Sequence, residues 1–294
     1  MLKLSQSDPA APTRVVIIGA GGFIGAALSH TLARETKVVG LGSKDVDLLS
    51  NDAATRLESQ LATGDAVVFI SALTPDRGRG LDTVIRNLRM TESVTKALAG
   101  KAISQLVYVS SDAVYDDATS LIRETSPCNP STFHGAMHLT REIALRQAAQ
   151  AGKFPLTLIR PTAVYGPGDT HGAYGPNRFL NTAAKEGRVA LFGEGEERRD
   201  HLFIDDLCAL TSRCLGHRTE GVINAVSGTA VSFREVAERA QAVLARPVTI
   251  VGSPRANPIT HRHFDTSALR AAFPTLPITS LDEGLKRTLA AMKA

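Results

Sequence analysis

Two groups of residues carry chemistry in their types and spacing. Gly19, Gly21, Gly22 and Gly25 follow the apolar run Val15 to Ile18 directly and precede Ala26, Ala27 and Leu28. A strand, a glycine turn and a helix start in that order make a dinucleotide cradle. Glycine permits positive φ, lets a pyrophosphate approach bare backbone, and lets the helix close on its strand. The helix N-terminus then presents unpaired N–H groups and the positive end of its dipole to the phosphates. The second group is His134 and His138, four residues apart and so on one helix face. Imidazole titrates near neutral pH and can take or give a proton there. A His-x-x-x-His pair can also ligate a transition metal, but no third ligand with matching spacing accompanies it, so no metal is expected.

The elements that must position these groups are legible as alternating patterns. Apolar runs at Val15–Ile18, Val38–Leu41, Ala66–Ile70, Leu106–Ser110 and Leu156–Ile159 alternate with segments of helical period near residues 22–35, 51–62, 80–99 and 131–151. Continuous apolar strands with crossover helices imply a parallel sheet covered on both faces. After Arg160 and Pro161 the pattern breaks into a Gly/Pro-rich stretch from Tyr165 to Asn177, a helix, and a charged turn from Gly193 to Arg199. Ser232 with Glu235, and Ser280 with Glu283, read as capping boxes that start two later helices. The expected fold is α/β: a doubly wound parallel sheet of the Rossmann type with a smaller C-terminal α/β substrate lobe. Residues 1–166 make the dinucleotide domain, 201–229 return to it, and 167–200 with 230–294 make the lobe. The ligand cleft is expected at the C-terminal ends of the strands, between the two.

Bulk properties exclude several classes. With 43% hydrophobic and 21% charged residues the chain has a globular composition, and no apolar run is long enough to span a bilayer. The first fourteen residues lack the apolar centre of a secretory signal, so a cytoplasmic location and no membrane partner are expected. Cys128, Cys208 and Cys214 have no metal-ligand spacing, and an odd count argues against a disulfide framework. A net charge of +4 with dispersed arginines gives no support to a nucleic-acid partner.

Several motifs, in order along nearly the whole chain, resemble the extended short-chain dehydrogenase/reductases, the group of nucleotide-sugar epimerases, dehydratases and ketoreductases. They are the Gly-x-x-Gly-x-x-Gly turn at Gly19, Gly22 and Gly25, with Phe23 and Ile24 inside it; Asp47 and Leu48, similar to the pair that contacts adenine; Ser71 and Ala72, similar to the small-residue pair after the third strand; and Asn87 in the next helix. Then come Ser110 and Ser111 before Asp112 to Tyr115, Arg160 to Pro167 with Pro161 and Ala163, and Arg199 to Asp206. The resemblance places Ser111 at the catalytic serine and Arg199 at the arginine that holds the substrate diphosphate.

One departure stands out. The family's Tyr-x-x-x-Lys pair is replaced here by His134 at the tyrosine and His138 at the lysine, and no Tyr-x-x-x-Lys occurs elsewhere. In the usual chemistry the lysine binds the nicotinamide ribose and lowers the tyrosine pKa, so that the phenolate exchanges a proton with a sugar hydroxyl during hydride transfer. His134 could serve as general acid when a ketone is reduced, with Ser111 donating to the developing alkoxide. His138 could touch the ribose hydroxyls, though it lacks lysine's reach and permanent charge. For Ser111 the plain alternative is strand-end hydrogen bonding. For the pair, the alternative is lost redox chemistry and a surviving dinucleotide-binding protein.

At the end of the second strand an acidic side chain would bind the ribose 2′-hydroxyl of NAD. Ser43 and Lys44 stand there instead, after Gly42, which favours NADP(H) over NAD(H), although Asp45 is close enough to serve NAD. For the substrate, a nucleotide-linked sugar, Asp112, Asn177, Arg178, Arg199 and Arg262 are the candidates, arginine because its planar fork binds phosphate oxygens in pairs. The preferred reaction is reduction of a 4-keto sugar. An epimerase recycling a bound NAD is the alternative enzyme. The resemblance also implies a homodimer built on the helices near 81–99 and 131–150, with Leu81, Val84, Ile85 and Leu88 as an apolar stripe that burial against the protein's own sheet would explain equally well.

Overall fold

The computed structural model describes residues 2–169, 172, 175–255 and 258–293. The first half contains β1 (Lys3–Leu4), β2 (Arg14–Ile18), α1 (Phe23–Leu32), β3 (Lys37–Leu41), α2 (Ala53–Gln60), β4 (Ala66–Phe69), α3 (Leu81–Ala99), β5 (Gln105–Val109), β6 (Leu121–Ile122) and α4 (Phe133–Gly152). The second contains β7 (Leu156–Pro161), β8 (Ala163–Tyr165), α5 (Pro176–Glu186), β9 (Arg188–Phe192), β10 (Arg198–Phe203), α6 (Ile204–Gly216) and β11 (Thr219–Ala225). It closes with β12 (Ala230–Ser232), α7 (Phe233–Leu244), β13 (Thr249–Ser253), β14 (His263–Phe264), α8 (Ser267–Ala272) and α9 (Leu281–Lys293).

Seven strands form one sheet in the order β1-β11-β7-β5-β4-β2-β3. Every neighbouring pair is parallel except the short edge pair β1 and β11. The apolar runs explain the arrangement residue by residue. Val15, Ile17, Val68 and Val107 point to the face packed by Leu28 of α1 and Leu207 of α6. Val16, Val67, Leu106 and Tyr108, their neighbours along the same strands, point to the face packed by Leu57 of α2, Val94 of α3 and Leu145 of α4. With both faces dry, neither can be polar, and the strands read as continuous rather than alternating. The doubly wound parallel sheet expected from the sequence is therefore present.

The strand order reverses at β2, which lies between β3 and β4. Open α/β sheets bind ligands outside the carboxyl ends of strands at such a switch point. The glycine turn begins at that end of β2.

Beyond Pro161 every strand except β11 lies outside the main sheet. The set β12-β10-β8 forms a three-stranded sheet, β13 pairs with β9, and β14 with β6. Phe179 and Leu180 of α5, Val189 and Leu191 of β9, Val236 and Ala240 of α7, and Leu285 of α9 enclose a separate apolar cluster. The Ser232–Glu235 capping box forms in both directions. At α9 only half of the second forms among the described residues: the Glu283 N–H donates to Ser280 Oγ at 3.3 Å. Of the Gly/Pro-rich stretch between Tyr165 and Asn177, positions 170, 171, 173 and 174 lie outside the described residues. Among the described residues no helix is long and apolar enough to cross a membrane, and no cluster of His, Cys, Asp or Glu has the arrangement of a metal site.

Candidate active site

The cradle is built by the glycines. Gly19 adopts φ +105°, and a Cβ there would sit 2.6 Å from the Ser71 nitrogen, so the end of β2 and the segment after β4 approach closer than any side chain allows. Gly25 faces the Gly19 carbonyl with no room for a Cβ, which seats α1 against its strand. Phe23 turns its ring into the core, while Gly22 at the N-cap gives α1 no side-chain cap. The first-turn N–H groups, those of Phe23, Ile24 and Gly25, are thus left for an anion.

Next to this turn, Gly19, Gly42, Ser43, Asp47, Leu48, Ser71, Ala72, Leu73, Arg86 and Met90 surround a recess of about 230 Å³. Its dimensions and position at the switch point suit the adenosine end of a dinucleotide. Ser43 lines it, and Lys44, the next residue, is exposed. The Asp45 carboxylate is turned back on its own loop, accepting the Gly42 N–H at 2.8 Å. Arg86 was not singled out from the sequence; its place on α3, one residue before Asn87, was the available signal. Asn87 is buried and pins the loop after β4: Oδ1 accepts the Leu73 N–H at 2.9 Å, and Nδ2 donates to the Leu73 and Thr83 carbonyls.

At the end of β5 the buried Ser110 hydroxyl donates to Glu142 Oε1 at 2.7 Å, and Ser111 starts a 3-10 turn over Asp112–Val114 by accepting the Ala113 N–H at 3.1 Å. Helix α4 begins against that turn. Thr132 caps it by accepting the Gly135 N–H, and Gly135 lies so close to the Ala113 carbonyl that no side chain would fit. Position 134 is thereby held beside the Ser111 turn. The His134 and His138 rings meet edge to face with centroids 4.7 Å apart, and Tyr108 Oη lies 2.6 Å from His138 Nδ1. His134 also borders a groove of about 440 Å³ with Leu73, Arg79, Asn87, Phe133 and Met137. Burial, and then the charge of Arg141, holds the His134 pKa below its usual value; burial holds that of His138 well below it.

A second recess of about 270 Å³ lies on the far side of Ser111, lined by Ser111, Asp112, Ala113, Thr162, Ala163, Arg199 and Arg262. Arg262 donates to the Asp112 carbonyl at 3.0 Å and pairs with Asp117; Arg199 pairs with Glu197 and donates to the Thr260 carbonyl. Burial raises the Asp112 carboxyl pKa against the opposing pull of Arg262 and Arg199. Asn177 does not line this recess: it is buried with Oδ1 accepting the Gly166 N–H and Nδ2 donating to the Gly166 carbonyl. Arg178 stands exposed on α5 and is also absent from the lining. Pro161 is buried at the end of β7, and Ala163 follows it at the rim.

The glycine cradle, the switch-point recess and the polar cluster after β5 form one continuous line along the carboxyl edge of the sheet. The profile of the family described as "NAD dependent epimerase/dehydratase family" matches residues 15–226. The chain belongs to that family. Its relatives include the UDP-glucose 4-epimerase of Mycolicibacterium smegmatis, 26% identical and covering 94% of this chain and 97% of that protein. Among solved structures, the UDP-N-acetylglucosamine 4-epimerase from Methanobrevibacter ruminantium M1, described in complex with UDP-N-acetylmuramic acid, superposes with a TM-score of 0.86 at 19% identity, over 97% of this chain and 99% of that one. A GDP-L-fucose synthetase from Naegleria fowleri bound to NADP gives 0.84 at 19% identity, over 98% and 97%. At such identities the structural likeness establishes the fold, and the family match rests on residues 15–226.

Proposed function

We propose that this enzyme reduces a 4-keto group of a nucleotide-diphosphate sugar, with NADP(H) as the favoured dinucleotide. The observation that carries the reading is the end of β3: Ser43 and Lys44 are exposed there, Asp45 is occupied by the Gly42 N–H, and Arg86 lines the recess. A hydroxyl and two cations suit a 2′-phosphate, and the carboxylate next to them in sequence, Asp45, is turned to its own loop. The cradle fits the rest of the group, since Gly19, Gly22 and Gly25 leave bare backbone where its pyrophosphate would lie, with Ser71, Ala72 and the Asp47–Leu48 pair alongside. When bound, the nicotinamide supplies or accepts the hydride. His134 as imidazolium then gives its proton to the carbonyl oxygen and is left neutral, while the Ser111 hydroxyl supports the developing alkoxide. Arg199 and Arg262 receive the diphosphate in the recess beyond Ser111, with Asp112 beside the sugar. Residues 1–166 and 201–229 carry the cofactor, and 167–200 and 230–294 the substrate.

One observation favours a second reading. A His134 held neutral is prepared to take a proton from a hydroxyl rather than give one to a ketone. That suits an epimerase that begins by oxidation and keeps its NAD, as the names of several relatives suggest. Release of bound cofactor from fresh protein, followed by fluorescence titration with NADPH and NADH against Lys44→Ala, separates the two. Tight NADPH binding weakened by Lys44→Ala supports the reductase, copurified NAD supports the epimerase, and binding of neither dinucleotide overturns both.

A homodimer is part of the proposal. On α3 Leu81 and Ile85 are 58% and 43% exposed, and Ile143 on α4 is 50% exposed, so this part of the stripe is not spent on the protein's own sheet.

A further inference from the structure

His134, His138 and Arg141 occupy positions i, i+4 and i+7 of α4 and so share one face of the helix. Arg141 is fully buried. Its Nε donates to Thr91 Oγ1 at 2.7 Å, its Nη2 to the Ser71 carbonyl at 2.8 Å, and Nη1 lies 3.9 Å from Met137 Sδ. The guanidinium stacks over the Phe69 ring at 4.3 Å and over Tyr108 at 5.2 Å. Among the described residues none of its partners is a carboxylate. Glu142, the next residue, turns away to Ser110, Arg160 and Arg146. A buried guanidinium held only by neutral groups costs stability, because a pair of aromatic faces and three neutral contacts replace its hydration incompletely. Its position ties that charge to the site: one contact reaches Ser71, at the wall of the cradle, and another surface faces Tyr108, whose hydroxyl touches His138.

We propose that Arg141 is a positioning residue that supplies the permanent positive charge of this site, the charge that a lysine at position 138 carries in the enzymes the chain resembles. The lysine's two tasks are divided here. Tyr108 is fully buried, burial raises its pKa, and it keeps its proton. Arg141 can only donate, so in the proposed arrangement the Tyr108 hydroxyl donates to His138 Nδ1, 2.6 Å away. A neutral His138 bonded in that way carries its hydrogen on Nε2 and keeps a donor for a ribose hydroxyl. The Arg141 guanidinium, which stays charged, adds to the burial that already disfavours a positive charge on either imidazole. The charged and titratable groups around His134 are His138 and Arg141 on α4, Tyr108 from β5 and Arg79 from the loop that borders the same groove; Glu142, the nearest carboxylate on the helix, is spent on Arg160. The inference deepens the acid/base role given to His134 above and rests on that reading for its catalytic meaning.

The test is a proton NMR titration of the histidine Hε1 signals in the ligand-free protein, with His134→Gln and His138→Gln as assignment variants. Arg141→Met and Arg141→Gln remove the charge, and Arg141→Lys keeps it. The His134 midpoint moves up in the two neutral variants and stays at its wild-type value in Arg141→Lys. An unchanged midpoint in the neutral variants, or the same rise in all three, overturns the proposal. Should the neutral variants not fold, the wild-type protein decides: nitrogen-15 shifts show His138 as the neutral Nε2–H tautomer between pH 5 and 8, and a protonated His138 in that window overturns it. No turnover enters these readings, so failure of the oxidoreductase reading appears in cofactor binding, separately from failure of this one.

Discussion

A side-chain carbon on Gly19 would lie 2.6 Å from the backbone nitrogen of Ser71, which makes the contact between the end of β2 and the segment after β4 one of backbone on backbone. Gly19→Ala has to open that contact and also hold alanine at φ +105°, a conformation L side chains rarely adopt. The variant loses about 1–3 kcal/mol of stability and binds dinucleotide at least tenfold more weakly. Thermal melts with and without NADPH check both effects. A variant that melts and binds like the wild type would show that the turn is an ordinary surface turn.

The Glu142 carboxylate is fully buried and ties α4 to the ends of two strands, β5 and β7. Its Oε1 accepts from Ser110 Oγ at 2.7 Å and Arg160 Nε at 2.9 Å, and Arg160 Nη2 donates to Oε2 at 2.6 Å. Arg160 also lies over the Tyr115 ring at 4.7 Å. Removing one member of a buried pair leaves the other charged and unpaired, so Glu142→Ala costs about 3–5 kcal/mol. Urea unfolding measures this directly. Glu142→Ala together with Arg160→Met recovers part of the loss, and a double variant no better than the single one would mean that the pair is not coupled.

The elements that could be read in the sequence are those whose residues answer to one local rule. Val15 to Ile18 are apolar without interruption because both sheet faces are dry, and Gly19 is a glycine because its φ demands one; both rules act within a few residues. The partners of Arg141 could not be read so directly. Thr91 and Ser71 lie 50 and 70 residues away in sequence, and only the packing of α4 against α3 and against the segment after β4 brings them to the guanidinium. The spacing of Arg141 from His134 was visible, but a helix face by itself does not say what it faces. Asn177 shows the reverse. Its type and place suggested a substrate ligand, whereas its amide spans the Gly166 peptide and braces the turn after β8. Arg199 and Arg262 do reach one recess, with Asp117 and Glu197, two acidic partners that no motif marked.

His201 sets an acid limit on stability. It is 4% exposed, packs on Phe233 with ring centroids 5.8 Å apart, and neither ring nitrogen has a hydrogen-bond partner among the described residues. Burial, with the charge of Arg199 adding to it, lowers its pKa to about 3. The unfolded chain therefore binds a proton at this residue below about pH 6.5, while the folded protein resists it down to about 3. The stabilising contribution is fully present above the unfolded value and is lost as pH falls between the two. His201→Phe removes this dependence, so its denaturation midpoint falls less than that of the wild type between pH 7 and 4.5. Parallel curves for the two proteins would refute the assignment.

The pH dependence of turnover follows from His134 in the same way, with opposite consequences for the two directions of reaction. Burial first, and Arg141 second, keep its pKa below the ordinary histidine value. At neutral pH the imidazole is therefore mainly a proton acceptor. Oxidation of a sugar hydroxyl, which needs the neutral form, rises with pH through the lowered pKa and levels off above it. Reduction of the ketone, which needs the imidazolium, falls across the same interval, so its optimum lies on the acid side. Both profiles of kcat/KM should bend at one common pKa in the ligand-free enzyme, and His134→Gln should remove the bend from each while cutting the rate by about 10²–10⁴-fold. A bend that survives in His134→Gln would assign the proton transfer to another group, with the Asp112 carboxyl, whose pKa burial raises beside Ser111, the next to replace.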